Sequence, residues 1–301
     1  MADNDSVLTA AHDWAGARLA LATVTSTWGS APRPRGSHML VHEDGRFEGS
    51  VSGGCVESDI LATAAEVIGG APFARKRYGV ADTAAWEVGL PCGGEIEVMV
   101  QPVDAAGFDP ALFDTIATAR AQGQAIALTT DPATGRTQVG EGDGFVNRYD
   151  PPRRLLIVGA VQIAQGLAGM ARELGIATTV IDPRARFLTE ERFPGVTLDD
   201  RWPDEALAAL KPDAATAVVT LSHDIKIDDP ALIEALKSPA AYVGALGSRR
   251  SHAARLERLA AAGAEGLERI DGPVGLDIGA IGPSEIALSI AAAMVRSFHA
   301  R

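Results

Sequence analysis

The sequence predicts an α/β protein in two parts, an α+β region over residues 1–150 and a doubly wound parallel sheet over residues 151–301. Three observations carry this. Short apolar runs alternate with dense glycine clusters in the first half, the grammar of strands bounded by turns. From Arg154 the pattern becomes strand, helix, strand, with near-continuous Val, Ile and Leu runs that mark strands buried on both faces. Between the two, Tyr149-Asp150-Pro151-Pro152-Arg153 sets a boundary, because a Pro-Pro pair continues neither a helix nor a central strand.

Taken in order, LALATVTSTWGS, HMLVHEDGRFEGSVSGG and EIEVMVQPV each read as a strand. ESDILATAAEVIGG is a helix ended by Gly69 and Gly70. Residues 109–122 are a second helix that Asp109 can cap, with Pro110 at its first position. The stretch 131–152 reads as a turn-rich approach to the boundary. RLLIVGA, VQIAQGLAGMARELG and IATTVID then form one βαβ unit, the start of a Rossmann-like domain. Strands follow at 216–221 and 240–245 and helices at about 229–237 and 250–262. A last helix spans about 283–298, with Pro283 at its start and Glu285 in its first turn.

Composition narrows the function classes. Apolar residues make up 47% and charged residues 22%, so the chain can build a proper core. With 27 Lys and Arg against 39 Asp and Glu, the net charge is −12, which repels a phosphate backbone or an anionic membrane at long range. Aromatics at 5% are too few for a base-stacking platform, so neither nucleic acid nor membrane is an expected partner. The acidic start MADNDSVLTA does not read as a secretory signal, and a cytoplasmic location is expected. In that reducing compartment Cys55 and Cys92, 37 positions apart, are expected to be thiols.

The residues that could carry chemistry lie in loops. In Gly29-Ser30-Ala31-Pro32-Arg33-Pro34-Arg35-Gly36-Ser37, Arg33 and Arg35 form a constrained pair suited to phosphate or a polar heterocycle. In Gly49-Ser50-Val51-Ser52-Gly53-Gly54-Cys55-Val56-Glu57, Gly53 and Gly54 are expected to leave N–H groups free as an anion nest, with Cys55 near a helix start, where reactive thiols are found. Gly89-Leu90-Pro91-Cys92-Gly93-Gly94 repeats the device. No CxxC spacing supports a metal site, so Cys55, Cys92, His38 and His42 would have to come together as a ligand set by folding alone.

The second half carries an incomplete dinucleotide fingerprint. Gly159 and Ala164 fit, but Val161 stands where a glycine would let a pyrophosphate approach. Asp182, 23 residues after Gly159, is placed to accept from a ribose hydroxyl, and Arg184 follows. Ser222-His223-Asp224 and Gly247-Ser248-Arg249-Arg250 fall beyond strand ends, where open parallel sheets bind ligands. His223 can be a base or a hydrogen-bonded loop residue, and Arg249 an anion contact or a solvated charge.

Together and in this order, GSAPRPRGSHMLV, GSVSGGCVESDI, GLPCGGEIEV, VIDPRARF, LSHD, YVGALGSRR and GLDIGAIGPSEIALSI resemble the XdhC/CoxI family, accessory proteins of molybdenum hydroxylases such as xanthine dehydrogenase. The resemblance covers nearly the whole chain. It implies an N-terminal XdhC/CoxI-type domain, a C-terminal Rossmann-like domain and a homodimer. It implies a chaperone that binds molybdenum cofactor, as molybdopterin or a dinucleotide form, while a cysteine desulfurase sulfurates it, and then delivers it to an apo molybdenum hydroxylase. Cys55 and Cys92 match the family's cysteine loops, as molybdenum contacts or sulfur-relay thiols. Arg33, Arg35, Gly53, Gly54, Gly93, Gly159, Asp182, His223, Ser248 and Arg249 are the accompanying cofactor-binding candidates. The departure is GAVQIA at 159–164 in place of Gly-x-Gly-His, which speaks against a nucleotide at the second domain or for a changed ligand. The rival readings are an NAD(P)-dependent oxidoreductase built on that domain, a maturation enzyme carrying a persulfide, and a scaffold joining desulfurase to hydroxylase.

Overall fold

The computed structural model describes residues 4–79 and 94–300, and the chain divides into two compact units, Met1–Asp150 and Pro151–Arg301. Cys92 and Gly93 lie outside the described residues.

The first unit is built on an antiparallel sheet in the order β3-β2-β1-β5-β4. Its strands are β1 (Leu19–Trp28), β2 (His38–His42), β3 (Phe47–Gly49), β4 (Ala74–Tyr78) and β5 (Glu95–Pro102). β1 is central, and its alternation is apolar on both sides. Ala20, Ala22 and Val24 share a buried cluster with Ile60, Ala64 and Val67 of α2 (Glu57–Ile68). Leu19 and Leu21 share another with Val7 and Ala10 of α1 (Asp5–Asp13) and with Phe113 and Ile116 of α3 (Ala111–Ala121). The small Ala side chains let α2 lie close to the sheet. Asp109 Oδ1 accepts from Ala111 N at 2.9 Å, the expected capping interaction at the mouth of α3.

Two readings of this unit are corrected. Residues 38–54 form a hairpin and a loop instead of one strand, because Asp44-Gly45, with Gly45 at φ +90°, turns the chain between β2 and β3. The stretch from 131, expected as a turn-rich approach to the boundary, carries strands: β7 (Thr137–Val139) and β8 (Phe145–Tyr149) join β6 (Ile126–Thr130) in a three-stranded sheet. Its polar residues shape a hairpin turn, in which Asp131 accepts from Ala133 N at 2.8 Å.

The second unit is a parallel sheet in the order β11-β10-β9-β12-β13-β14. The strands are β9 (Arg154–Val158), β10 (Ala177–Ile181), β11 (Thr197–Asp199), β12 (Thr216–Thr220), β13 (Tyr242–Ala245) and β14 (Ile270–Asp271). This is the 3-2-1-4-5-6 order of a dinucleotide-binding fold, reversing between β9 and β12. α4 (Gln162–Glu173) and α8 (Pro283–His299) cover one face. α5 (Pro203–Leu210), α6 (Ile225–Lys237) and α7 (Arg249–Ala261) cover the other. Among the described residues no helix is long and apolar enough to cross a membrane.

Candidate functional site

Antiparallel pairing decides where the loops of the first unit go. β1 ends, β2 begins, β3 ends and β5 begins at one end of the sheet, since Thr23 pairs with His38, Met39 with Gly49 and Trp28 with Glu95. The arginine loop 29–37 and the Cys55 loop 50–56 therefore emerge from the same end, bringing Arg33, Arg35, Gly53, Gly54 and Cys55 to one sheet edge. Gly94 closes against the arginine loop: a Cβ there would stand 2.5 Å from Ser30 O and 2.9 Å from Trp28 O, so only glycine fits.

The Cys55 loop is organised by a residue that motif reading passed over. Glu57, at the first position of α2, turns its carboxylate back into the loop. Oε1 accepts from Ser50 Oγ at 2.6 Å and Ser52 N at 2.9 Å. Oε2 accepts from Ser52 Oγ at 2.5 Å, Gly54 N at 2.9 Å and Val56 N at 3.2 Å. Gly53 N and Cys55 N go to the Ser50 and Ser52 hydroxyls at 2.8 and 2.9 Å. Burial pushes the Glu57 carboxyl up, but the Ser50 and Ser52 hydroxyls and the Ser52 N–H outweigh it and hold it down at about 2. The expectation of free N–H groups at Gly53 and Gly54 is thus corrected: the nest exists, and the chain's own carboxylate fills it. Cys55 stands exposed on its rim as a free thiol, two residues ahead of α2.

The two arginines of the neighbouring loop differ. Arg35 Nε donates to Thr25 O at 3.1 Å and its guanidinium lies 4.5 Å from the Phe145 ring, so it anchors the loop. Arg33 is half-buried, and its Nε has no hydrogen-bond partner among the described residues. His38, at this end of β2, and His42, at the opposite end, both serve structure. His38 bridges Thr23 Oγ1 at 2.9 Å and Tyr149 Oη at 2.8 Å, and full burial lowers it to about 4, neutral at pH 7. His42 pairs with Asp44 and Arg46. Among the described residues no group of three or more His, Cys, Asp and Glu could hold a metal ion.

In the second unit the remaining candidates gather at the carboxyl ends of the strands. Gly159 has φ +108°, and a Cβ there would stand 2.7 Å from Ser222 N, which places the Gly159 and Ser222 loops side by side where the sheet order reverses. Asp182 is fully buried. Its Oδ1 accepts from Arg184 N and Nε at 2.9 and 2.8 Å, and its Oδ2 from Arg184 Nη2 and Ala160 N, both at 2.8 Å. A carboxylate has about four acceptor sites, so none is left for the expected ribose hydroxyl. Asp182 is here the strut of the Gly159 loop. Arg192 Nη2 donates to Ala160 O at 2.8 Å from the other side. Where a dinucleotide would need open N–H groups, this loop bonds within the chain and Val161 packs onto the core.

His223 is exposed and held at φ +62°, a conformation that costs a non-glycine residue of the order of 1 kcal/mol and gathers at functional sites. Beside it, Ser222 Oγ donates to the buried Asp228 at 2.7 Å, and burial raises the Asp228 carboxyl above its usual range. Ser248 caps α7, accepting from Ser251 N at 3.1 Å. Arg249 and Arg250 follow, both exposed, with no acid in that first turn.

Comparison with known proteins supplies the context. A family model described as the XdhC and CoxI family matches residues 14–79, and one described as the XdhC Rossmann domain matches residues 155–294. The molybdenum cofactor insertion chaperone PaoD of Escherichia coli is 33% identical, over 90% of this chain and 81% of that protein. A Bacillus subtilis protein named as a probable xanthine dehydrogenase subunit is 26% identical, over 92% of each chain. The crystal structure of a xanthine dehydrogenase from Bacillus halodurans superposes with a TM-score of 0.78 at 25% identity, covering 100% of this chain and 97% of that one.

Proposed function

Because this chain belongs to the XdhC and CoxI family, we propose that it is a carrier of molybdenum cofactor that shields its cargo during sulfuration and hands it to an apo molybdenum hydroxylase. The observation that carries the reading is the sheet edge of the first unit. There an exposed thiol, Cys55, stands on a loop whose backbone donors are already spent, at the same end of the sheet as a loop bearing a half-buried arginine whose Nε has no partner among the described residues. A soft thiolate suits molybdenum, and a guanidinium suits the phosphate of a pterin tail. The residues present therefore fit both ends of such a cargo. Cys92 and Gly93 belong to the same reading as further contacts; in the second unit, taken by itself, the exposed His223, Ser248 and Arg249 are candidate anion contacts.

A cysteine desulfurase and the apo-hydroxylase are the partners, a homodimer the working form and the cytoplasm the compartment that this function entails. Handover sets an upper limit on affinity, because a dissociation constant near 1 pM corresponds to about 16 kcal/mol and to release too slow for delivery. The nicotinamide reading draws on the strand order alone, and Val161 and the engaged Asp182 and Ala160 weigh against it.

Anaerobic loading with molybdenum cofactor, read after oxidation as pterin fluorescence per protomer, tests the proposal. Stoichiometric pterin in the native chain, reduced at least about tenfold by Cys55→Ser or Cys92→Ser as one metal–thiolate contact warrants, is the expected result. Absence of pterin, with clear binding of NADH or NADPH, overturns it.

A further inference from the structure

The loop that presents Cys55 has the form of an anion site already filled from within. Backbone N–H groups of Ser52, Gly54 and Val56 and the hydroxyls of Ser50 and Ser52 all converge on one carboxylate, and that carboxylate is Glu57. Gly53 at φ +75° and Gly54 at φ +113° give the backbone the curvature this needs. Space is not the reason for those glycines, since a Cβ at either would meet nothing within 4 Å. Their positive φ serves the wrap around the carboxylate, and Cys55, the next residue, inherits its position from that wrap.

We propose that Glu57 is the positioning residue of the Cys55 thiol: its carboxylate takes the place that a ligand phosphate would occupy in the loop, so the loop meets the cargo through the thiol alone. The proposal rests on the carrier reading for the identity of the cargo, but not for the geometry. It assigns a division of labour in which phosphate recognition belongs to the arginines and not to the glycine nest. It also accounts for α2 beginning with an acid two positions after the thiol, where the helix N-terminus favours negative charge.

The test uses the full chain with Cys92→Ser, so that Cys55 is the only thiol. Glu57→Ala vacates the nest. Glu57→Gln is the second variant should the first fail to fold; it keeps the shape but turns an amide N–H₂ toward backbone donors. The rate of Cys55 alkylation by iodoacetamide is read in each variant on that background, without and with added acetate, and pterin loading is read separately in each Glu57 variant with Cys92 intact. A change of about tenfold in the alkylation rate is expected, the effect of losing one charge-assisted hydrogen bond. Acetate should restore the Glu57→Ala rate by entering the vacated nest. A merely structural role would leave no such rescue. An unchanged rate in a folded variant, or a changed rate that acetate does not restore in folded Glu57→Ala, overturns the proposal. A rate that changes and is restored while pterin loading stays at the native level supports the positioning role and overturns instead the use of Cys55 by the carrier.

Discussion

At the scale of single residues, the chemistry of this chain turns on which polar groups are already engaged. His38 is the clearest case for stability. It is buried and neutral, with a folded value of about 4 against the ordinary 6.5, so the unfolded chain binds the extra proton between those values. Stability from this group is whole above pH 6.5 and falls as the pH drops toward 4, by up to roughly 3 kcal/mol at about 1.4 kcal/mol per pH unit. Urea midpoints should therefore fall between pH 6.5 and 5, where carboxylates stay ionised, and His38→Gln should flatten that slope. Gly159 is the other sharp case. With φ +108° and the Ser222 backbone 2.7 Å from any Cβ, Gly159→Ala should cost about 2 kcal/mol or more, seen as a drop of several degrees in thermal midpoint.

At the scale of elements, α7 carries an electrostatic conflict. Its N-terminus bears Arg249 and Arg250, exposed and without an acid in the first turn, although a helix N-terminus favours negative charge. Replacing Arg249 by Glu should stabilise the folded chain by about 0.5 kcal/mol, measured by chemical denaturation, while weakening pterin loading. A substitution that lowers both would show Arg249 to be a structural cation. Ser248→Ala should act oppositely on the fold, losing the cap and about 1 kcal/mol. Most elements were legible from periodicity and punctuation. α4 and α8 follow their apolar stripes, and the Glu285 carboxylate accepts from Ile281 N at 2.9 Å at the start of α8. β4, with its Ala-Arg-Lys-Arg-Tyr sequence, was not legible, because its side chains alternate between half-exposed and exposed on a sheet edge. β7 and β8 were hidden by the turn residues around them.

At the scale of the whole molecule, the two units have separate cores: two apolar clusters fall within the first and two within the second. Residues 151–301 expressed alone should therefore fold, giving a cooperative thermal transition and an α/β circular dichroism spectrum. A non-cooperative melt would show that the second core depends on the first. The net charge of −12 opposes an anionic cargo at long range, so its association rate should rise with ionic strength until the arginines themselves are screened.

The sequence by itself determined the alternation of strands and helices, the boundary at the Pro-Pro pair, the loops that hold Cys55 and the arginines, and the resemblance that named their family. These are local signals, written in periodicity, turn residues and contiguous motifs. Only the tertiary structure decided which of those groups are free. Glu57 looks like an ordinary first-turn acid until its carboxylate is seen to gather the donors of five preceding residues, and Asp182 looks like a ribose acceptor until Arg184 and Ala160 are seen to use its oxygens. The physical reason is that a motif fixes which donors and acceptors lie near one another, whereas burial and three-dimensional approach decide which of them pair, and a paired group no longer answers to a ligand.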